Sequence, residues 1–373
     1  MNYRFLIIFT LVVIVIVGVG FYFLDNSSKR TTNVQQIENT TLFNQSQQEA
    51  SRLSVVVKNL QIPWALVFLP GGEILFTERE GRVRVIDKDG NLSQSAVLTL
   101  GDVKPIGEGG LLGMTLHPDF GDNGYVYLYY TYGETGGNTQ NRVVRYRFNE
   151  GKLVDPLVII DQIPGASNHN GGRIKFGPDS YLYITTGDAQ EPSRSQDTSS
   201  LAGKILRVTD EGKPALGNPF GNLIYSYGHR NPQGLAWDDQ GRLWETEHGS
   251  SATDEVNLIE IGKNYGWPQV RGDQRESGVQ APVIHSGSDT WAPSGAVFYN
   301  GSIYFAGLRG QSLFEYQIES GKLVRHLQGE LGRIREVVLG PGDMLYITTN
   351  NRDGRGTPQP DDDRIIRVNP SLF

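Results

Sequence analysis

The sequence predicts an all-β fold, a six-bladed β-propeller preceded by one N-terminal transmembrane helix. Three observations carry this: a strand motif that recurs six times, a turn-rich composition, and one unbroken apolar run near the N terminus. The motif is a Gly or Asp turn, then a short strand of alternating apolar and aromatic residues, often ending in Thr followed by an acidic or polar residue. Its copies are GGEILFTE from Gly71, NGYVYLYYT from Asn123, DSYLYITTGD from Asp179, QGRLWETE from Gln240, NGSIYFAG from Asn300 and PGDMLYITT from Pro341. Most are followed by a second short strand: GRVRVID, NRVVRYRF, GKILRV, DEVNLIEI, QSLFEYQI and DRIIRV.

Intervals of roughly 40–60 residues fit a four-stranded propeller blade. A β-sandwich of similar hairpins need not repeat one motif six times. Period-2 alternation assigns Leu75-Phe76, Val126-Tyr127-Leu128 and Tyr181-Leu182-Tyr183 to faces packed between neighbouring blades. The 46 glycines and 18 prolines among many Tyr and Phe agree with short strands and tight turns. A propeller must close, so the strand around Leu53 to Val57 is expected to join the last blade near Arg364 to Val368.

The chain divides into residues 1–25 as a membrane anchor or signal segment, 26–50 as a polar flexible stalk, and 51–373 as the propeller. Phe5 to Leu24 is an uncharged apolar run of 20 residues, enough to span a bilayer core of about 30 Å. Phe21-Tyr22-Phe23-Leu24-Asp25 is a poor cleavage site, which favours a retained anchor; cleavage would make the protein secreted. Arg4 before the run and Lys29 and Arg30 after it do not set orientation. Residues 26–50 are rich in Asn, Gln, Ser and Thr and bury no core. The net charge of −7 argues against a nucleic-acid surface. With no cysteine there is no disulfide, thiolate metal site or c-type haem attachment.

Between the repeats lie polar, Gly-rich loops that a propeller would bring to one mouth. In Ser167-Asn168-His169-Asn170-Gly171-Gly172-Arg173, His169 is a candidate general base or a histidine bonded only to loop backbone. In the loop from Tyr227 to Gly234, Arg230 is a candidate carboxylate clamp or a surface ion-pair member. Glu247-His248-Gly249-Ser250 through Asp254-Glu255-Val256-Asn257 offers oxygen ligands for calcium without EF-hand spacing. Arg333 and Arg335 share one side of an extended segment, facing either an anionic ligand or solvent.

Taken together, GEGGLLGMTLHPDF, NHNGGRIKFGPD, YLYITTGD, GHRNPQGLAW, TEHGSSATDEVNLI, NYGWP and WAPSGAVFY resemble the soluble PQQ-dependent glucose dehydrogenase and aldose sugar dehydrogenase family, the glucose/sorbosone dehydrogenases. The resemblance covers about residues 52 to 370, and the compact loops look more like the aldose sugar dehydrogenase branch. It implies an extracytoplasmic enzyme, tethered here by the apolar run, that oxidises aldose sugars at C1, with pyrroloquinoline quinone (PQQ) and Ca2+ as cofactors and an external electron acceptor. His169 matches the base and Asp188 the carboxylate that supports it. Arg230 matches the arginine beside the quinone oxygens. Asn231, Thr290, Arg333 and Arg335 match further cofactor contacts. The backbone carbonyls of Gly249 and Ser250 match ligands of the cofactor calcium, and Glu255 and Tyr265 match ligands of a second, structural calcium. Two positions depart from the pattern. Glu108 stands where the family usually has Gln, and a carboxylate there repels anionic PQQ unless it is protonated or turned towards a cation. Arg309 stands where glucose dehydrogenases carry Lys, keeping the charge but not the geometry. Two other readings stay open at this point: a non-catalytic propeller that binds carbohydrate or protein, and a calcium-dependent hydrolase such as a lactonase.

Overall fold

Six four-stranded antiparallel sheets make up the fold, in a computed structural model that describes residues 51–133 and 139–373. The apolar run Phe5–Leu24 and the stretch 26–50, and with them the expected anchor and stalk, lie outside the described residues. Among the described residues no helix is long and apolar enough to cross a membrane.

Each copy of the repeated motif is the second strand of its blade: β3 (Ile74–Glu78), β7 (Tyr125–Gly133), β11 (Leu182–Thr186), β15 (Leu243–Glu247), β19 (Ser302–Gly307) and β23 (Met344–Thr349). The following segments are the third strands: β4 (Arg82–Ile86), β8 (Thr139–Asn149), β12 (Lys204–Val208), β16 (Glu255–Ile259), β20 (Ser312–Gln317) and β24 (Ile365–Val368). The innermost strands are β2 (Pro63–Phe68), β6 (Leu111–Leu116), β10 (Ile174–Phe176), β14 (Pro232–Trp237), β18 (Pro293–Tyr299) and β22 (Ile334–Gly340). The outermost strands include two of only two residues, β5 (Leu98–Thr99) and β17 (Ile284–His285).

The strand pleat explains the core. Leu75 and Phe76 are both fully buried but belong to two different apolar clusters, one on each face of their blade. Leu182 and Tyr183 divide in the same way. The Thr of the motif joins blades. The Thr77 hydroxyl accepts from the Ala65 N–H at 3.0 Å and donates to the Leu112 carbonyl of the next blade at 2.8 Å. Thr246 donates likewise to the Ser294 carbonyl, and Thr348 to the Pro63 carbonyl.

Ring closure follows expectation. β1 (Leu53–Val57) is the outer strand of the last blade, in the order β1-β24-β23-β22. Beyond β1, Leu60 and Asp363 exchange backbone hydrogen bonds of 2.9 and 3.2 Å.

At that seam the Asp363 side chain is buried and accepts from the Asn351 N–H at 2.6 Å. Burial is the main cause that pushes its carboxyl from 3.8 up to about 6. A raised carboxyl pKa stabilises the fold fully at pH below its unfolded value, and that contribution is lost as pH rises through the folded value. Compared with wild type, Asp363→Asn should therefore gain melting temperature steadily as pH rises from about 4 to about 6, and no further above that. Thermal unfolding of both proteins across this range checks it; parallel profiles would remove Asp363 as the cause.

Candidate active site

Two sets of chain segments meet at one mouth of the propeller. One is the N-terminal ends of the inner strands, which supply Trp64, Glu108, Asn170, Gly171, Gln233, Ala292, Arg333 and Arg335. The other is the turns between second and third strands, which supply His248, Leu308, Arg309 and Arg355. They enclose a cavity of about 260 Å³. Inner strands β2, β6, β14, β18 and β22 all carry a register shift near their start. Such bulges re-aim side chains. Gln233 and Arg335 are the extra residues opposite their partner strands, and both line the cavity.

His169 stands at the rim. Its Nδ1 lies 2.7 Å from Asp188 Oδ1, and Asp188 is fully buried. The Trp267 indole N–H donates to the other Asp188 oxygen at 2.8 Å. Trp267 belongs to the NYGWP segment quoted above, so its role is to fix the carboxylate that fixes the histidine. His169 Nε2 has no hydrogen-bond partner among the described residues, which leaves it available to a substrate. The backbone of His169 is left-handed, with φ 61°. Three contacts hold it there: Glu108 Oε2 accepts its N–H at 3.0 Å, its carbonyl accepts the Ala189 N–H at 3.2 Å, and Gly187 packs against it. A Cβ on Gly187 would lie 1.9 Å from the His169 carbonyl oxygen, which is why the TTGD turn needs glycine.

The arginines differ in what they face. Arg333 is paired with Asp353 at 2.9 Å, and Arg355 with Glu108 at 3.3 Å. Arg230, Arg309 and Arg335 have no carboxylate within ion-pair distance among the described residues. Arg335 is the most demanding. It is 8% exposed, its neighbours Gln233, Ser294 and Asn350 are neutral, and its Nε is buried without a partner. Burial pushes its guanidinium down to about 9, the nearby Arg333 adding to this, so it remains charged at neutral pH. Arg230 lies over the Trp267 ring at 5.3 Å, donates to the His248 carbonyl at 3.2 Å, and also has a buried, unpartnered Nε. An uncompensated buried cation is costly unless an anion completes it, so the mouth is built for a polyanion.

Asn231 spends its carboxamide on the protein, accepting from the Gly171 N–H at 3.0 Å and lying 3.4 Å from Glu108. Thr290 is absent from the cavity wall, since its hydroxyl donates to Asp254 at 3.1 Å. Buried Asp254, not singled out in the sequence, also accepts from the N–H groups of Gly249, Trp291 and Ala292. It thereby joins the Gly249 loop to the start of β18.

Gly249, Ser250, Glu255 and Tyr265 line one small cavity of about 10 Å³ together with Arg230 and Glu247. Neither the Gly249 nor the Ser250 carbonyl accepts a backbone hydrogen bond from the described residues. The Tyr265 hydroxyl is used up, donating to the Leu258 carbonyl and accepting from the Glu260 N–H. Burial first, and Glu247 next, push the Glu255 carboxyl up to about 7. Behind it, ligand atoms of His229, Glu245 and Glu247 lie within 4.8 Å of one another. Burial holds Glu245 well above the usual carboxylate range, Glu247 adding to this. Such a cluster of oxygens with too few donors fits a divalent cation.

The family model described as Glucose / Sorbosone dehydrogenase matches residues 60–366. The chain belongs to this family of sugar oxidoreductases. It is similar to aldose sugar dehydrogenase YliI of Escherichia coli, 33% identical over 337 residues, covering 81% of this chain and 91% of that protein. Among solved structures it resembles the PQQ-bound aldose sugar dehydrogenase of Streptomyces coelicolor, with 42% identity, TM-score 0.80, and 85% and 97% of the two chains covered. It also resembles the apo soluble aldose sugar dehydrogenase of E. coli, with 30% identity, TM-score 0.77, and 85% and 99% covered.

Sequence reasoning missed Trp64 and Arg355, and it quoted His248 and Asp254 within the candidate calcium loop without giving either a role of its own. His248 had a signal in TEHG, but nothing there shows that its Nε2 contacts the Pro293 carbonyl at 2.7 Å.

Gly187 provides a test of how tightly the rim is built. Gly187→Ala should destabilise the protein by about 1–3 kcal/mol. Gly101→Ala, where an added Cβ meets nothing within 4 Å, should stay within about 0.5 kcal/mol. Denaturant unfolding of the two variants measures this, and equal effects would show that the His169 turn yields to the added methyl.

Proposed function

We propose that this chain oxidises aldose sugars at C1 to the lactone, using PQQ with Ca2+ and passing electrons to an external acceptor. The observation that carries the reading is a set of guanidiniums without carboxylate partners among the described residues, Arg309 and Arg335 on the wall of the cavity of about 260 Å³ and Arg230 on the small cavity that shares His248 with it, near an oriented His169–Asp188 pair. PQQ carries three carboxylates, so its charge matches those three guanidiniums. Arg230, Arg309 and Arg335 would hold it by charge, and Arg333, whose charge is met by Asp353, would add a hydrogen-bond donor. The Gly249 and Ser250 carbonyls would hold the calcium beside it, and Glu255, with Tyr265 through its backbone, would serve a structural calcium.

When bound, PQQ supplies a two-electron acceptor for the hydride from C1 and Ca2+ a Lewis acid next to it. His169 Nε2 takes the proton of the C1 hydroxyl as the C1=O bond forms. Asp188 holds the opposite ring nitrogen and stabilises the imidazolium that results. Trp267 keeps that carboxylate from rotating. Arg230, held over the Trp267 ring, would offer a positive charge to the anionic cofactor. The apolar run Phe5–Leu24 supports a membrane tether, and placement of this domain outside the cytoplasm follows from the proposed activity, not from the charges that flank the run.

Titration of apo protein with PQQ and Ca2+, followed by dye reduction with a panel of aldoses, tests the reading. Stoichiometric binding and sugar-dependent reduction are expected; absence of PQQ binding would overturn it. His169→Ala should still bind PQQ while turnover falls about 10²-fold or more. Undiminished turnover in that variant would remove His169 from the chemistry.

A further inference from the structure

Glu108 is the anomalous group at the mouth, a carboxylate on the wall of a cavity whose other charged groups favour an anion. Both of its oxygens are engaged. Oε2 accepts the His169 N–H at 3.0 Å, and Oε1 pairs with Arg355 at 3.3 Å. Arg355 comes from the turn after β23 in the last blade. It crosses the mouth to reach Glu108, and its other Nη donates to Asn168 Oδ1 at 3.0 Å, one residue before His169. The turn is itself anchored, because Asp353 accepts the Arg355 N–H at 2.8 Å and pairs with Arg333 at 2.9 Å. Asp353 is almost fully buried, whereas the Arg355 side chain is 43% exposed.

Glu108 has a geometric duty that needs only an acceptor, namely to hold the His169 N–H. A neutral carboxamide would fill that duty without charge. The acid brings a negative charge into the cavity, and Arg355 stands where it cancels that charge. We infer that Arg355 is a compensating residue: it neutralises Glu108, so that a group positioning the catalytic histidine does not repel an anionic cofactor. This rests on the proposal that the ligand is PQQ. The two residues form a matched pair. Losing the arginine alone leaves an uncompensated carboxylate facing the anion, and losing both charges restores the balance.

The test is a double-mutant cycle read by calorimetric titration of Ca2+-loaded apo protein with PQQ, in the absence of sugar. Arg355→Gln should weaken PQQ binding about 10-fold. Glu108→Gln, which removes the negative charge from the cavity and frees Arg355, should tighten it about 3-fold. The double variant should return to within about 3-fold of wild type, a rescue that a merely structural role for Arg355 would not produce. Wild-type affinity in Arg355→Gln overturns the inference. So does a loss that Glu108→Gln fails to rescue, which would make Arg355 a direct cofactor contact. Failure of wild type itself to bind PQQ strikes the proposed function instead. Melting of the four apo proteins supplies a ligand-free reading of the pair: coupling between the two positions is expected, and strict additivity overturns the pairing.

Discussion

Closure of the ring is the constraint on which everything else depends. Residues far apart in sequence share one mouth only if the first strand completes the last blade, and β1 does so beside β24. The seam is reinforced inside the ring as well as outside it. Leu60 and Asp363 pair through their backbones, and Thr348 reaches the Pro63 carbonyl across the same boundary. The Thr–carbonyl contact recurs between other blades, so the seam repeats an ordinary blade junction. That is the physical content of the repeated Thr: a short β-branched residue that fits the pleat and carries one hydroxyl to the neighbouring blade.

Closure also sets the electrostatics. The inner strands all run outward from the same mouth, so their first residues form a ring around the axis. Bulges at these starts turn Gln233 and Arg335 inward. The result is a cluster of guanidiniums that would repel one another in isolation. Two are cancelled by Asp353 and Glu108; three are left to an incoming ligand. Stability is spent on a site prepared for negative charge, as expected where function and folding pull apart.

The blades were legible because the second strand of each carries a turn, an alternating stretch and a Thr in fixed order. Two of the outer strands were not: β5 and β17 have two residues each, too few for any periodicity. His169, Asp188, Arg230, Arg333 and Arg335 were legible because they sit in motifs whose neighbours are also constrained. Gly187, for example, is required by the carbonyl of His169. Arg355 was illegible for the opposite reason. Its partner Glu108 lies 247 positions away, and nothing local about the Asp353–Arg355 turn marks it as part of the site. The departure at Glu108 was visible in the sequence, but the cation that accounts for it appears only when the ring is closed. Thr290 is the converse case: the resemblance alone offered it as a cofactor contact, and its hydroxyl donates to Asp254.

A propeller channel open at both ends would leak water to the reacting centre from below. Here the axis is filled. Arg173 pairs with Glu336 in the interior and also donates to the Gln233 carbonyl at 3.0 Å. Its guanidinium lies 4.3 Å from the centre of the Trp64 ring, and that of Arg335 lies 5.6 Å from it. Trp64 lines the upper cavity, whereas Arg173 and Glu336 line a separate space of about 410 Å³ at the opposite end, walled largely by apolar residues of the inner strands. A Cβ on Gly295 would lie 1.8 Å from Glu336 Oε1, so the backbone has been shaped to admit this pair. A buried ion pair contributes little net stability against an apolar replacement. Its value here is positional: it gives Trp64 a charged floor, and it leaves the cationic mouth as the route by which a ligand reaches His169.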